Sequence, residues 1–310
     1  MSRRSDPPPP PGICPEDHPL HHENVEIFQG DVTDRDAVFR AVEGCSHIFH
    51  LAACALNWAP SPSVFEKANI EAVRHVLDAA KEHGVERTVW TSTIMTFGPT
   101  PHGVVADESS PRWIEESWTD YESTKRKAEE MVLERAANGE DVVIVNPTRV
   151  YGPGKLSESN AVTTLIRDYP RGRVPILPHR GVDVGNYIFV DDVVQGHILA
   201  MERGRSGQRY ILGGDENVSL REFFFRVAII TGKRRGQLPI GVLASKCVAR
   251  FQLFLAKRFG VHPMVTPGWV KVFFHDWAYS SSKAQLELGF SPRPLEDGIR
   301  TTYEWLRSLK

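Results

Sequence analysis

The sequence predicts an α/β protein: a Rossmann-like, doubly wound parallel sheet followed by a smaller C-terminal α+β region. Three observations carry this. Apolar strand-length runs such as "HIFHLAA" (47–53), "RTVWTST" (87–93) and "DVVIVNP" (141–147) alternate with helix-length amphipathic stretches, the pattern of βαβ units around a parallel sheet. Beyond Tyr151 that rhythm loosens into Gly- and Pro-rich segments with short strands, "NYIFV" and "RYILGG". At 310 residues, 41% of them hydrophobic and 25% charged, the chain can bury a sizeable core.

From the amino end, "MSRRSDPPPPPGICPEDHPLHH" starts basic but lacks an apolar run. It is therefore not a secretory signal, and its proline run reads as disordered or polyproline-like, setting residues 1–24 apart. "VEIFQGDVTDRDAV" (25–38) reads as a buried strand turning into a helix. Val25, Ile27 and Phe28 give the apolar run and Gly30 the turn, while Thr33 caps the helix with Asp36 completing a capping box. That helix ends at Gly44, and the "HIFHLAA" strand follows. Phe65, Ala68, Val73, Val76, Leu77 and Ala80 lie at helical spacing up to Gly84. After the "RTVWTST" strand, a long helix runs from about Thr119 to Gly139 with Ala128, Met131, Val132 and Ala136 inward. Residues 25–150 thus form a dinucleotide-binding-type unit and 151–310 a substrate region, with 186–203 returning to the sheet.

With 37 basic against 39 acidic residues, the net charge of −2 gives no reason to expect nucleic acid or an anionic membrane as partner. Cys14, Cys45, Cys54 and Cys247 form no CxxC pair. This argues against structural zinc or a disulfide framework and suits a reducing compartment, so the cytoplasm is expected. The histidines are not read as metal ligands, and no apolar run is long enough for a membrane span.

The chemistry points to "TDYESTKRKAE", where Tyr121 and Lys125 are four apart near a helix start and share a face. A neighbouring ammonium favours the phenolate, so the pair can move a proton on a substrate oxygen while a cofactor handles hydride. The spacing alone is a common chance match. What raises it is "VWTSTIMTFG", which sets Ser92 and Thr93 at the carboxyl end of a strand, where open parallel sheets present their site residues.

The motifs "GDVTD", "IFHLAA", "NIEAVRHVL", "VWTST", "YESTK", "VNPTRVYGPG", "YIFVDDVVQGH", "RYILGG" and "SSSKAQLELGFSPRPLEDGI" follow in order over residues 25 to 310. Together they resemble the extended short-chain dehydrogenases/reductases of the NAD-dependent epimerase/dehydratase group, nearest to dihydroflavonol-reductase-like and hopanoid-associated sugar-epimerase-like members. The resemblance implies NAD or NADP as cofactor and a small-molecule substrate. It implies Tyr121 as general acid/base, Lys125 lowering its pKa and binding the nicotinamide ribose, and Thr93 as the substrate-oxygen hydroxyl with Ser92 beside it. Asp31 and Val32 would lie against the adenine. Leu51, Ala52 and Ala53 would run along the cofactor, Asn69 would support them, and Pro147 and Val150 would border the nicotinamide. A homodimer through the Tyr121 helix is also implied.

Three departures refine the expectation. Ile94 and Met95 stand where dehydratases of the group have an acidic pair, which disfavours water elimination. Gly185 and Asn186 stand where nucleotide-sugar enzymes have an arginine, which weakens that substrate class. The glycine-rich strand–helix–strand that opens the family has no counterpart. "TGKRRG" (231–236) follows no strand and opens no helix, so it reads as a helix C-cap. The 25–29 strand would then lack its neighbour and "HIFHLAA" would become an exposed edge, as in an N-terminally truncated frame. Alcohol/carbonyl redox is the expected reaction, with sugar epimerisation and a non-catalytic fragment as rivals. Residues 240–260, amphipathic with Lys246, Arg250, Lys257 and Arg258, read as a substrate-domain helix or helix pair rather than a membrane-surface element.

Overall fold

The computed structural model describes residues 22–154, 156, 160–173 and 176–309; the proline-rich start up to residue 21 lies outside them. Its centre is a four-stranded sheet of β1 (His47–His50), β2 (Arg87–Thr91), β3 (Val142–Pro147) and β7 (Arg209–Leu212), in the order β1-β2-β3-β7 and parallel throughout. Every residue of β3 is buried. A run such as Val142–Val145 can be apolar on both pleat faces because helices cover both sides.

One layer holds α1 (Arg35–Val42), α3 (Ala72–Glu82) and α4 (Asp120–Ala137). From α3 and α4, Val73, Leu77, Ala128 and Val132 pack with Trp90, Val142 and Ile144 of the sheet. The helix expected around residues 65–80 forms with a π turn, Lys67–Glu71, between α2 (Ser63–Glu66) and α3, and Asn69 sits in that turn. On the opposite face α6 (Val190–Arg203) and α10 (Ser282–Leu288) send Ala200, Ala284 and Leu288 against Val89, Val143 and Val145.

A second sheet joins β4 (Arg149–Tyr151), β6 (Val184–Phe189) and β8 (Asn217–Ser219). Together with α5 (Ala161–Asp168), α7 (Leu220–Thr231) and α11 (Leu295–Ser308), it encloses an aromatic core of Tyr151, Tyr169, Tyr187, Phe189, Phe223 and Phe224. A short pair, β5 (Ile176–Pro178) with β9 (Leu238–Ile240), leads into α8 (Val242–Phe259) and α9 (Pro267–Phe273). The "TGKRRG" segment opens as expected with the C-cap of α7, Gly232 at φ 66°.

Two expectations near the amino end are corrected. Residues 25–28 do not form a strand, and Val25, Ile27 and Phe28 are 37–40% exposed. A strand needs a hydrogen-bonding neighbour, and no described strand lies beside this segment. Thr33 does not cap α1 either. It donates from its N–H and its hydroxyl to Asp31, while the Asp34 side chain accepts from the N–H groups of Asp36 and Ala37. The edge prediction holds among the described residues: β1 pairs only with β2, leaving Phe49 44% and Leu51 59% exposed.

Residues 240–260 hold the expected helix, a single one, with Leu243, Phe251 and Phe254 more than half exposed. Leaving Phe251 and Phe254 so exposed forgoes over half of the ~1.5–3 kcal/mol that full burial of each would give.

Candidate active site

Because the main strands are parallel and in register, with His50 opposite Trp90 and Thr91 opposite Val145, their carboxyl ends lie along one edge. Leu51–Ala53 and Ser92–Thr93 follow those ends, and Pro147 is the last residue of β3. The helix α4 enters the same edge, capped by Thr119, whose side chain accepts from the Glu122 N–H. Tyr121, Lys125 and Glu129 follow at intervals of four, one row along the helix.

Thr93, two residues past β2, caps a 3-10 turn, Ile94–Thr96, its hydroxyl accepting from the Met95 N–H at 3.3 Å. The same side chain lies within reach of the Tyr121 phenol. The expected meeting of Thr93 and Tyr121 therefore occurs. Ser92 diverges from its neighbour: it is buried and its hydroxyl donates to the Glu129 carboxylate. The Lys125 ammonium donates to the Thr91 carbonyl at 2.6 Å and lies 4.3 Å over the Trp90 ring. Asn69 clasps the loop after β1, its amide accepting from the Cys54 N–H and donating to the Cys54 carbonyl and Thr124 hydroxyl.

The electrostatics run against one expectation. Burial pushes the Tyr121 phenol up to about 12, with the Thr93 hydrogen bond opposing, and Lys125 is not among the causes. In turn, burial lowers Lys125 to about 7, which the Glu129 carboxylate partly offsets. His50, buried beside this ammonium, is lowered to about 3, chiefly by burial and then by Lys125. Its Nε2 has no hydrogen-bond partner among the described residues.

A consequence is measurable. An unfolded lysine keeps its proton to about 10.5, whereas folded Lys125 keeps it only to about 7. Between these values the unfolded chain binds more protons, so stability rises with pH. Lys125→Met is expected to stabilise the protein by a few kcal/mol at pH 6 and progressively less toward pH 10. Urea unfolding of both proteins across this range checks it; a pH-independent difference contradicts it.

Tyr121 packs among apolar side chains. Ile94, Met95, Phe97, Val272, Trp277 and Tyr279 form a buried cluster against which Trp118, Tyr121 and Trp269 pack. At Gly268, in the first turn of α9, a Cβ would collide with the Trp118 carbonyl, so glycine lets this helix approach the Tyr121 helix. Asn186 is structural: its amide accepts from the Thr148 hydroxyl and the Gly214 N–H and donates to backbone carbonyls. A Cβ at Gly185 would meet Arg149, whose guanidinium reaches the Tyr187 hydroxyl.

At the far end of the edge, Val32, Leu51 and Ala52 share a groove of about 490 Å³ with Val38 and Val42 of α1, Phe49 of β1 and Val76 of α3. Asp31 is beside Val32 with its carboxylate accepting from Thr33, and Ala53 is exposed. Pro147 is buried at the end of β3 and Val150, in β4, packs against the core under α6.

The profile of the NAD dependent epimerase/dehydratase family matches residues 13–213. The chain belongs to this family. Its relatives include a protein of Synechocystis sp. provisionally named dihydroflavonol 4-reductase, 30% identical over 293 residues and covering 93% of this chain and 84% of that protein. Sterol demethylase protein B of Methylococcus capsulatus is also 30% identical, over 91% of this chain and 85% of its own length. Among solved structures, gox2253 superposes with a TM-score of 0.77 at 34% identity, covering 94% of this chain and 88% of that one. The NAD complex of Thermus thermophilus UDP-glucose 4-epimerase superposes with a TM-score of 0.72 at 24% identity over 92% and 86%, a likeness of fold. The family consists of NAD(P)-dependent oxidoreductases, epimerases and dehydratases with a Rossmann-type fold.

Sequence reasoning missed Glu129, the aromatic pair Trp118 and Trp269, and His50. Glu129 continues the four-residue spacing of Tyr121 and Lys125, a signal that was present. The tryptophans carry none, because Trp269 reaches the site through tertiary packing of a helix almost 150 residues downstream.

Proposed function

We propose that the chain is an NAD(P)-dependent oxidoreductase acting on an alcohol or carbonyl of an apolar small molecule. The closeness of Tyr121 to the Thr93 side chain, next to a cluster of aromatic and aliphatic residues, carries this reading. Tyr121 is the general acid/base, and Thr93 is the second hydroxyl at the substrate oxygen. With its phenol protonated through neutral pH, Tyr121 is set to donate to a carbonyl oxygen during reduction. In the reverse direction its phenolate would take the proton of an alcohol. Ile94 and Met95 bring no acid or base to the site, which counts against dehydration, and the spent amide of Asn186 counts against a nucleotide-sugar diphosphate.

The reacting end suits a nicotinamide nucleotide. Lys125 has three donors and the Thr91 carbonyl as acceptor, and the buried His50 Nε2 is unpartnered, so polar groups there can meet ribose hydroxyls. The cofactor would supply or accept hydride. Asp31, Val32, Leu51, Ala52 and Ala53 would hold its adenosine half, Asn69 the loop between the halves, and Pro147 and Val150 the nicotinamide border. In this reading residues 25–150 form the cofactor unit and 151–310 the substrate region, α6 returning to the main sheet.

No glycine-rich turn opening a helix faces the groove among the described residues. A few hydrogen bonds of about 1 kcal/mol each leave roughly millimolar affinity, about −4 kcal/mol. Titration of the 310-residue chain with NADH and NADPH, followed through its seven tryptophans, is expected to show weak saturable binding. Tight micromolar binding would mean that the pyrophosphate is held by contacts outside this groove. No saturation at any soluble concentration removes the enzyme reading for this chain and leaves the non-catalytic one.

A further inference from the structure

We propose that α8 docks the protein onto an anionic phospholipid surface. The helix is amphipathic in the inverted sense. Its small residues Ser245, Ala249 and Ala256 are buried against the protein. The opposite side carries Leu243, Phe251 and Phe254, which are 73%, 62% and 57% exposed. Phe259 at the end of the helix is exposed too, as are Val261 and Met264 beyond it, the last 84% exposed. Next to this stripe, at spacings of four and seven, run Lys246, Arg250 and Lys257, which have no carboxylate within ion-pair distance among the described residues.

Charge decides the occupant. Between Glu222 and Asp276 there is no acidic residue, while nine lysines and arginines fall between Arg226 and Lys271. That stretch carries +9 in a chain of net −2, so the remainder carries −11. Only Arg226 and Lys271 of the nine are ion-paired among the described residues, to Glu216, Glu222 and Glu296 and to Glu116. The neutral whole-chain average conceals this asymmetry. An apolar stripe with a basic flank matches the acyl boundary and phosphate layer of an anionic leaflet. A two-fold dimer through the same face would set Lys246, Arg250 and Lys257 against the same cations of a second copy.

The helix is also tied to the candidate site. The Gln252 side chain accepts from the N–H groups of Met264 and Val265, fixing the turn after α8. Within that turn His262 packs edge-on against Trp58, and Trp269 of α9 donates to the Asn57 carbonyl. Trp269 packs in the same cluster as Tyr121. A lipid surface under α8 would therefore lie next to the apolar wall of the site, although the docking itself does not rest on the proposed reaction.

Flotation of the full chain with vesicles of phosphatidylcholine, with or without one-third phosphatidylglycerol, tests this. Binding is expected to the anionic vesicles alone and to weaken at high salt. Lys246→Glu with Arg250→Glu is expected to reduce it at least about tenfold, and Phe251→Ser with Phe254→Ser to reduce it similarly. All four side chains are exposed, so thermal melts should match the parent. Three results would overturn the proposal: no binding to anionic vesicles, binding unchanged in both variants, or a solution dimer that Phe251→Ser dissociates. The last assigns the face to a second copy.

Discussion

Tyr121→Phe is expected to lower kcat for carbonyl reduction by about 10²–10⁴-fold, the range for removing a positioned proton donor, with the fold unchanged. The variant deletes one hydroxyl, beside the Thr93 side chain, so the loss falls on the chemical step. Thr93→Val should also lower kcat, though less, because Tyr121 remains. Ser92→Ala should cost stability rather than rate, since that hydroxyl is committed to Glu129. The phenol near 12 adds a pH signature. The acid form persists below that value, so reduction should not decline between pH 7 and 10 through loss of the donor. Single-turnover oxidation of NADPH or NADH at saturating cofactor with apolar ketones and aldehydes is the measurement. If the phenylalanine variant kept half of the parent rate, Tyr121 would not be the acid.

How far the sequence reached is clearest at α4. Tyr121 and Lys125 were legible because a four-residue spacing fixes a helix face, and the strand-end hydroxyls were legible because parallel strands share a carboxyl edge. Lys125's direction was not legible. Its reach to the Thr91 carbonyl and Trp90 depends on how α4 lies on β2, which no local pattern encodes. The phenol shift reversed for the same reason: burial, a property of tertiary packing, outweighs a neighbouring charge that points elsewhere. At α8 the sequence showed amphipathicity but not its sense, because a helix with small residues on one side and large apolar ones on the other reads the same in either orientation.

Glu129→Ala is expected to destabilise the protein by about 3–5 kcal/mol, the cost of stripping the partner from a buried, charged network. The carboxylate is buried and collects the Ser92 hydroxyl, the Thr96 hydroxyl at 3.0 Å, the Asn146 amide at 2.9 Å and the Arg209 guanidinium at 3.4 Å. These groups come from the 92–96 turn, β3 and β7, so one side chain ties three neighbouring elements beneath Thr93. Removing it takes an acceptor from three donors and the counter-charge from a cation, the Thr96 hydroxyl and the Asn146 amide keeping only the Thr93 carbonyl and each other. Glu129→Gln keeps an oxygen for two of them and should cost about 1–2 kcal/mol. Since the turn carrying Thr93 loses its support, both variants should also lower kcat in protein that remains folded, with KM for the cofactor little changed. Equilibrium urea unfolding supplies the stability values. An alanine variant within about 1 kcal/mol of the parent would show that water replaces the carboxylate, and that the Thr93 turn is held from the other side, by the Arg112 guanidinium on the Met95 and Thr96 carbonyls.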